Sequence, residues 1–202
     1  RWQPLHGDGS ERAFYRVAGQ ADTLLVIRSP IGDDPFPNEN DSYVYMGNHL
    51  EQKRIPVPKI YGYLRSEGLI LIQDLGSVHL QDAVHSSDWE LSRLYTMAAD
   101  LLIDVQILAT ENLDTTHCFD TPIYDQSFII ERELEYFHRS FLEGALGLRV
   151  GWDQLEREYA LIAARAVGDK GPLVFLHRDF QSRNLMLKEG RLYLIDFQGA
   201  RL

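Results

Sequence analysis

Leu176-His177-Arg178-Asp179-Phe180-Gln181-Ser182-Arg183-Asn184-Leu185-Met186-Leu187, then a turn at Glu189-Gly190, then Leu192-Tyr193-Leu194-Ile195-Asp196-Phe197-Gln198-Gly199: this stretch decides how the chain is read. The apolar run Leu173 to Leu176 reads as a strand delivering Asp179 at its end. Asn184 follows five residues later, and a hairpin of two short strands then leads to Asp196. Phosphoryl transfer from a nucleotide needs such a set. One carboxylate orients the attacking hydroxyl and accepts its proton, while an amide oxygen and a second carboxylate hold the magnesium ions that neutralise the phosphates. The pattern His-Arg-Asp-x4-Asn followed by Asp-Phe is a kinase signature. Asp-Phe alone is common; the spacing of the whole set is what makes it specific. The alternative is a buried polar loop in which Asn184 caps a turn and Asp196 ends a strand.

The surrounding chain has 202 residues, room for one large domain or two small lobes. Hydrophobic residues are 45% and charged residues 25%, the proportions of a soluble globular protein. Lys and Arg number 20 against 30 Asp and Glu, a formal charge of −10. That balance argues against non-specific nucleic-acid or membrane binding, yet permits a phosphate ligand held by backbone amides and metal ions. Cys118 is the single cysteine, so no disulfide framework exists and a reducing, cytoplasmic setting is expected. No leader or membrane-length apolar run is visible. The sequence opens on Arg1 and stops soon after Gly199, which raises the expectation of further C-terminal structure in the parent protein.

Upstream, Leu5 to Val17 contains Gly7, Gly9 and Ser10 between an apolar start and a β-prone run, a strand–turn–strand signal. In a nucleotide kinase, backbone amides near Gly9 and Ser10 would lie over the phosphates; an ordinary hairpin turn is the other reading. No Walker-type Gly-x4-Gly-Lys-[Ser/Thr] occurs. Thr23 to Arg28 reads as the next strand. Kinases place a lysine near its end, and here Arg28 is the nearest cation, either gripping phosphate or facing solvent. A helix follows, capped somewhere in Asn40-Asp41-Ser42, and its acid partner for the strand cation is Glu39 or Asp41. Two further strands, Ile60 to Leu64 and Leu69 to Ile72, complete an antiparallel N-terminal lobe over residues 1–76. Residues 73–76 form the hinge, where the backbone of Gln73 and Leu75 can meet an adenine edge.

Residues 77–202 then form a helical lobe. A long core helix capped by Ser87 or Asp88 carries Leu91, Leu94, Tyr95, Ala98, Leu101, Leu102, Val105 and Leu108. A second helix starts near Asp125, and a third runs from Trp152 to Ala166, ended by Gly168. Asp125, Glu131, Glu133 and Glu135 cluster. Asp125 and Glu133 are candidates for binding substrate hydroxyl or ammonium groups, against the ordinary role of acids early in a helix.

On these motifs the chain resembles the aminoglycoside phosphotransferase (choline-kinase-like) family, in particular its bacterial subgroup of anomeric N-acetylmuramate/N-acetylglucosamine kinases. The resemblance rests on Ser10 to Arg16, Glu39 through Pro58, Leu71 to Gly76 and His177 to Asn184. It implies an α+β, protein-kinase-like two-lobe fold with a truncated C-terminal lobe. It also implies ATP and Mg2+ as cofactors, Asp179 as base, Asn184 and Asp196 as metal ligands, and residues 73–75 against adenine. The expected activity is transfer of the ATP γ-phosphate to a hydroxyl of a sugar or amino sugar. Arg28 or Ile27 standing where many members have lysine is a departure, and it keeps a nucleotide-binding pseudokinase open beside a protein kinase.

Overall fold

The computed structural model describes residues 2–5, 12–19, 22–30, 36–168 and 171–202. Contacts divide the chain into two compact units. One is Arg1–Asp120 with Val174–Ala200, and the other is Thr121–Leu173 with Arg201–Leu202. The sequence division at residue 76 followed the change from strand to helix. Contacts group differently, because the long helix and the 185–194 hairpin share a hydrophobic core with the sheet.

In the first unit, β1 (Trp2–Leu5), β2 (Ala13–Ala18), β3 (Thr23–Arg28), β4 (Ile60–Leu64) and β5 (Leu69–Gln73) form an antiparallel sheet of order β1-β2-β3-β5-β4. Alternation along β5 sends Ile70 and Ile72 inward, and Ile27 of β3 joins them in the core. Helix α1 (Glu39–Gln52) begins one residue before the caps expected from sequence. Asn38 is the actual cap: its Oδ1 accepts the Asp41 N–H at 2.9 Å, and Asp41 Oδ2 accepts the Asn38 N–H at 2.9 Å. This reciprocal capping box satisfies two backbone donors that the helix start leaves open. Met46 and Leu50 bury fully on the core side.

After α2 (Leu80–Ala83), helix α3 (Leu91–Leu108) packs Leu94, Leu101 and Val105 into that core. Leu91 and Tyr95, expected on the same apolar face, are exposed. Neither Ser87 nor Asp88 caps α3. Asp88 instead bonds the Ser86 hydroxyl in a local turn, and the helix starts after Glu90 without a side-chain cap.

The decisive stretch folds as expected over the hairpin of β6 (Leu185–Lys188) and β7 (Arg191–Leu194), in register Leu185↔Leu194 to Lys188↔Arg191. Glu189 and Gly190 both have positive φ, 52° and 76°, the conformation whose twist suits a two-residue hairpin. The strand expected at Leu173 to Leu176 is not regular: only Leu176 makes an isolated bridge. Leu173 and Val174 are exposed, and the Phe175 N–H is satisfied by the Thr110 hydroxyl at 2.7 Å rather than by a neighbouring strand.

The second unit starts with α4 (Gln126–Phe128), which continues in π-helical turns over Ile129–Leu134 and Phe137–Ala145. Helix α5 (Trp152–Val167) follows, and Gly168, at φ 67°, ends it as expected. His138 is buried against Tyr159, Nδ1 to hydroxyl 2.9 Å, beside the Trp152 ring. Buried Arg201 stacks its guanidinium 4.1 Å above the Phe128 ring centre.

Candidate functional site

A cleft of about 670 Å³ lies within the first unit. Apolar side chains of the sheet and hairpin, among them Phe14, Leu25, Ile27, Ile72, Met186 and Ile195, line it, and Asn184, Asp196 and Gln198 lie at its polar end. That is ample for a nucleotide-sized ligand, and such mostly apolar slots with a few placed polar groups are what small-molecule sites look like.

The polar end is built by short backbone links. His177 is buried, and its Nε2 bonds the Ile195 carbonyl at 2.9 Å, tying the loop before Asp179 to the chain just ahead of Asp196. Burial lowers the His177 pKa from its ordinary 6.5 more than that bond and the nearby Asp196 and Asp179 raise it. The imidazole is therefore held neutral. Asn184 closes a 3₁₀ turn at Ser182–Asn184 and donates its amide to the Asp179 carbonyl at 2.9 Å and to Asp196 Oδ2 at 3.3 Å. Asp196 sits at φ 63°, a left-handed conformation uncommon outside glycine, and its side chain is exposed. The three residues singled out by spacing thus meet through one amide. Asp179 is exposed and falls outside the residues lining the cleft itself.

One carboxylate and one amide oxygen are hard donors. They suit Mg2+, which takes one or two protein oxygens and completes its shell with phosphate and water.

Residues 73–76, expected as the hinge, are anchored firmly. Asp74 is buried and receives Arg16 in two-point fashion, Nε to Oδ2 2.6 Å and Nη2 to Oδ1 2.9 Å, plus the Gly76 N–H at 2.9 Å. Burial raises its pKa, but these donors outweigh it and hold the carboxyl below 3.8. Lys188 of β6 donates to the Asp74 carbonyl at 2.7 Å, fixing the hairpin to this segment. Gln73 and Leu75 both line the cleft. The Gln73 N–H is already bonded to the Lys59 carbonyl at 2.8 Å, whereas the Leu75 backbone makes no hydrogen bond among the described residues.

The cation singled out in the sequence does not reach the cleft. Arg28 is exposed at the end of β3 and is absent from the cleft lining, which takes Leu25 and Ile27 from that strand. Alternation puts residue 28 on the opposite face from 25 and 27. Arg12, just ahead of β2, lines the cleft instead, with its side chain 7% exposed. Its Nη2 lies 3.3 Å from Glu39 Oε1 and 3.2 Å from Asn40 Oδ1. Of the two acids left open on α1, Glu39 therefore faces Arg12. Asp41 is committed to its cap, to Tyr63 at 2.8 Å and to Arg65 at 3.0 Å. Arg183 also lines the cleft, its Nε bonded to Gln81 at 2.9 Å. Sequence reasoning missed Arg12 and Gln198. The β2–β3 register, Phe14↔Ile27, was the signal for Arg12, since residues 12 and 14 share a face with 25 and 27.

Gly9 and Ser10 lie outside the described residues. Asp125 and Glu133 belong to the second unit. Asp125 caps α4 by accepting the Phe128 N–H at 2.8 Å, and Glu133 accepts the Tyr124 hydroxyl at 2.6 Å.

A model of the phosphotransferase enzyme family matches residues 1–202. The chain belongs to that family. Among phosphotransferase relatives, the N-acetylmuramate/N-acetylglucosamine kinase of Pseudomonas aeruginosa is 30% identical over 200 residues, 98% of this chain and 54% of its own length. The chain thus spans about half the length of the curated relatives it matches. Plasmodium vivax ethanolamine kinase superposes with a TM-score of 0.65 at 13% identity, covering 99% of this chain and 56% of that one. The streptomycin–ATP–APH(2″)-IIa ternary complex gives 0.64 at 14%, covering 100% and 66%. These likenesses bear out the α+β, protein-kinase-like fold of the family.

Proposed function

We propose that this chain carries the nucleotide site and catalytic loop of a kinase that transfers the γ-phosphoryl group of ATP to a hydroxyl of a sugar or amino sugar. The observation that carries the reading is the Asn184 amide, which joins the Asp179 loop to the Asp196 carboxylate at the polar end of an apolar cleft. Adenine would occupy the slot between Ile27, Ile72 and Met186, with the Leu75 backbone against its edge. When bound, Mg2+ held by Asn184 and Asp196 would supply charge neutralisation on the phosphates. Asp179 would orient the acceptor hydroxyl and take its proton as the oxygen–phosphorus bond forms and ADP leaves. The sugar preference is supported by the name of the P. aeruginosa relative. No helix among the described residues is long and apolar enough to cross a membrane, and a cytoplasmic kinase without nucleic-acid partners is the setting we infer.

The test is Asp179→Asn in the complete protein, assayed with ATP and Mg2+ against N-acetylmuramate, N-acetylglucosamine, aminoglycosides and choline. A wild-type turnover on an amino sugar that drops by about 10³-fold or more in the variant supports the assignment, general-base catalysis alone contributing about 10²–10⁴-fold. Undiminished turnover in the variant removes Asp179 from the role of base. ATP binding by the wild-type protein without phosphorylation of any of these acceptors would favour the pseudokinase.

A further inference from the structure

Asp196 and Glu39 are far apart in sequence and share one donor. Gln198 Nε2 donates to Asp196 Oδ1 at 2.8 Å and to Glu39 Oε1 at 3.2 Å. The same Glu39 oxygen lies 3.3 Å from Arg12 Nη2. A continuous polar chain therefore runs Asn184–Asp196–Gln198–Glu39–Arg12 along the cleft, joining the hairpin, the first turn of α1 and the entry to β2. Four of these five residues line the cleft, Glu39 being the exception. Gln198 is held at this bridge by its neighbour: the Phe197 ring is fully buried and stacks on Tyr43 of α1. Its other amide atom, Oε1, is buried without a partner among the described residues, while its NH2 group makes both bonds.

We propose that Arg12, braced by Glu39, is the phosphate-binding cation of this chain, and that Gln198 is the positioning residue that couples this ion pair to Asp196. The proposal rests on the kinase reading above. Physically, a planar guanidinium suits phosphate oxygens better than an ammonium does, and it cannot lose its charge. The wall of β3 that faces the cleft offers only Leu25 and Ile27, so β3 supplies no charge there, whereas Arg12, just ahead of β2, does. Glu39 alone would leave two carboxylates, its own and that of Asp196, aimed toward one region with nothing between them. The Gln198 amide places a donor there, and so fixes the distance between the phosphate cation and the metal-binding carboxylate. Glutamate at this position would instead add a third negative charge.

The experiment is calorimetry of ATP binding to the complete protein, with and without Mg2+, for wild type, Arg12→Gln, Arg28→Gln, Gln198→Ala and Gln198→Glu, each checked for folding by its melting curve. Arg12→Gln is expected to weaken ATP about tenfold or more in both conditions, the loss typical of one charge-assisted hydrogen bond. Gln198→Ala should weaken Mg-ATP but alter Mg-free ATP less. Gln198→Glu should weaken Mg-free ATP most and recover as Mg2+ is raised, a rescue that a merely structural role would not produce. Arg12→Gln binding ATP within about twofold of wild type, or the loss following Arg28→Gln instead, overturns the assignment of the cation while leaving the kinase reading intact. Identical Mg2+ dependence in wild type and both Gln198 variants overturns the coupling. A folded wild-type protein that binds no ATP brings down the kinase reading itself, and this inference with it.

Discussion

The Phe197 ring stacks on Tyr43 at 4.8 Å between centres and 27° between planes, so the turn that presents Asp196 is seated on the helix that presents Glu39. Gly47, one turn further along α1, makes the close approach possible. A Cβ there would stand 3.2 Å from two atoms of the Phe197 ring and 2.6 Å from Ile60 Cδ1. The isoleucine end can rotate away, but the ring is fully buried between neighbours. Gly47→Ala gains about 1 kcal/mol of helix propensity and meets overpacking of about 1–3 kcal/mol. We expect a net destabilisation of about 1 kcal/mol by urea unfolding. A more stable variant would show that the ring moves freely.

Asn38 closes the capping box that starts α1 immediately before Glu39. Replacing it with alanine removes the acceptor for the Asp41 N–H and should cost about 1 kcal/mol. Because Glu39 occupies the first helical position, fraying here loosens the acid that faces Arg12. Hydrogen exchange of the first-turn amides should rise in Asn38→Ala, while exchange at the far end of α1 stays as in wild type.

Much of this was legible in the sequence, for a physical reason. The hairpin announces itself through two apolar runs about Glu189-Gly190, and the three candidate side chains sit at spacings fixed by that hairpin and the turn before it. The strands of the sheet were placed by their own composition. What escaped depends on tertiary register. Whether Arg28 or Arg12 faces the cleft depends on one residue of alternation. The choice between Glu39 and Asp41 turns on where Tyr63 of β4 and Arg65, just beyond that strand, fall. Leu91 and Tyr95 carried the right period for a core face, yet nothing among the described residues buries them.

Asp74 makes the acid limb of stability testable. Its carboxyl lies below 3.8 in the folded chain, burial being outweighed by Arg16 and the Gly76 N–H. A depressed acid contributes stability that is present above its unfolded pKa and is lost as pH falls through the folded value. Asp74→Asn should therefore destabilise by about 2 kcal/mol near neutral pH, the worth of a hydrogen bond to a charged group. The gap to wild type should shrink steadily as pH falls below 3.8. Urea midpoints for both proteins at several pH values decide it. A gap that is constant with pH would mean that the charge on Asp74 contributes nothing.

His177 predicts a second pH dependence in a different window. The folded imidazole titrates below the ordinary 6.5, chiefly because burial disfavours its cation. As pH drops from 6.5 toward the folded value, the unfolded chain binds the proton first, so stability falls in step. Above that window the contribution is complete. His177→Gln places an amide donor near the former Nε2 position, toward the Ile195 carbonyl, and cannot titrate. Between about pH 7 and about pH 5.5, wild type should lose more unfolding free energy than the variant, and the difference should vanish at higher pH. Equal losses in the two proteins would place the His177 proton outside the folding equilibrium.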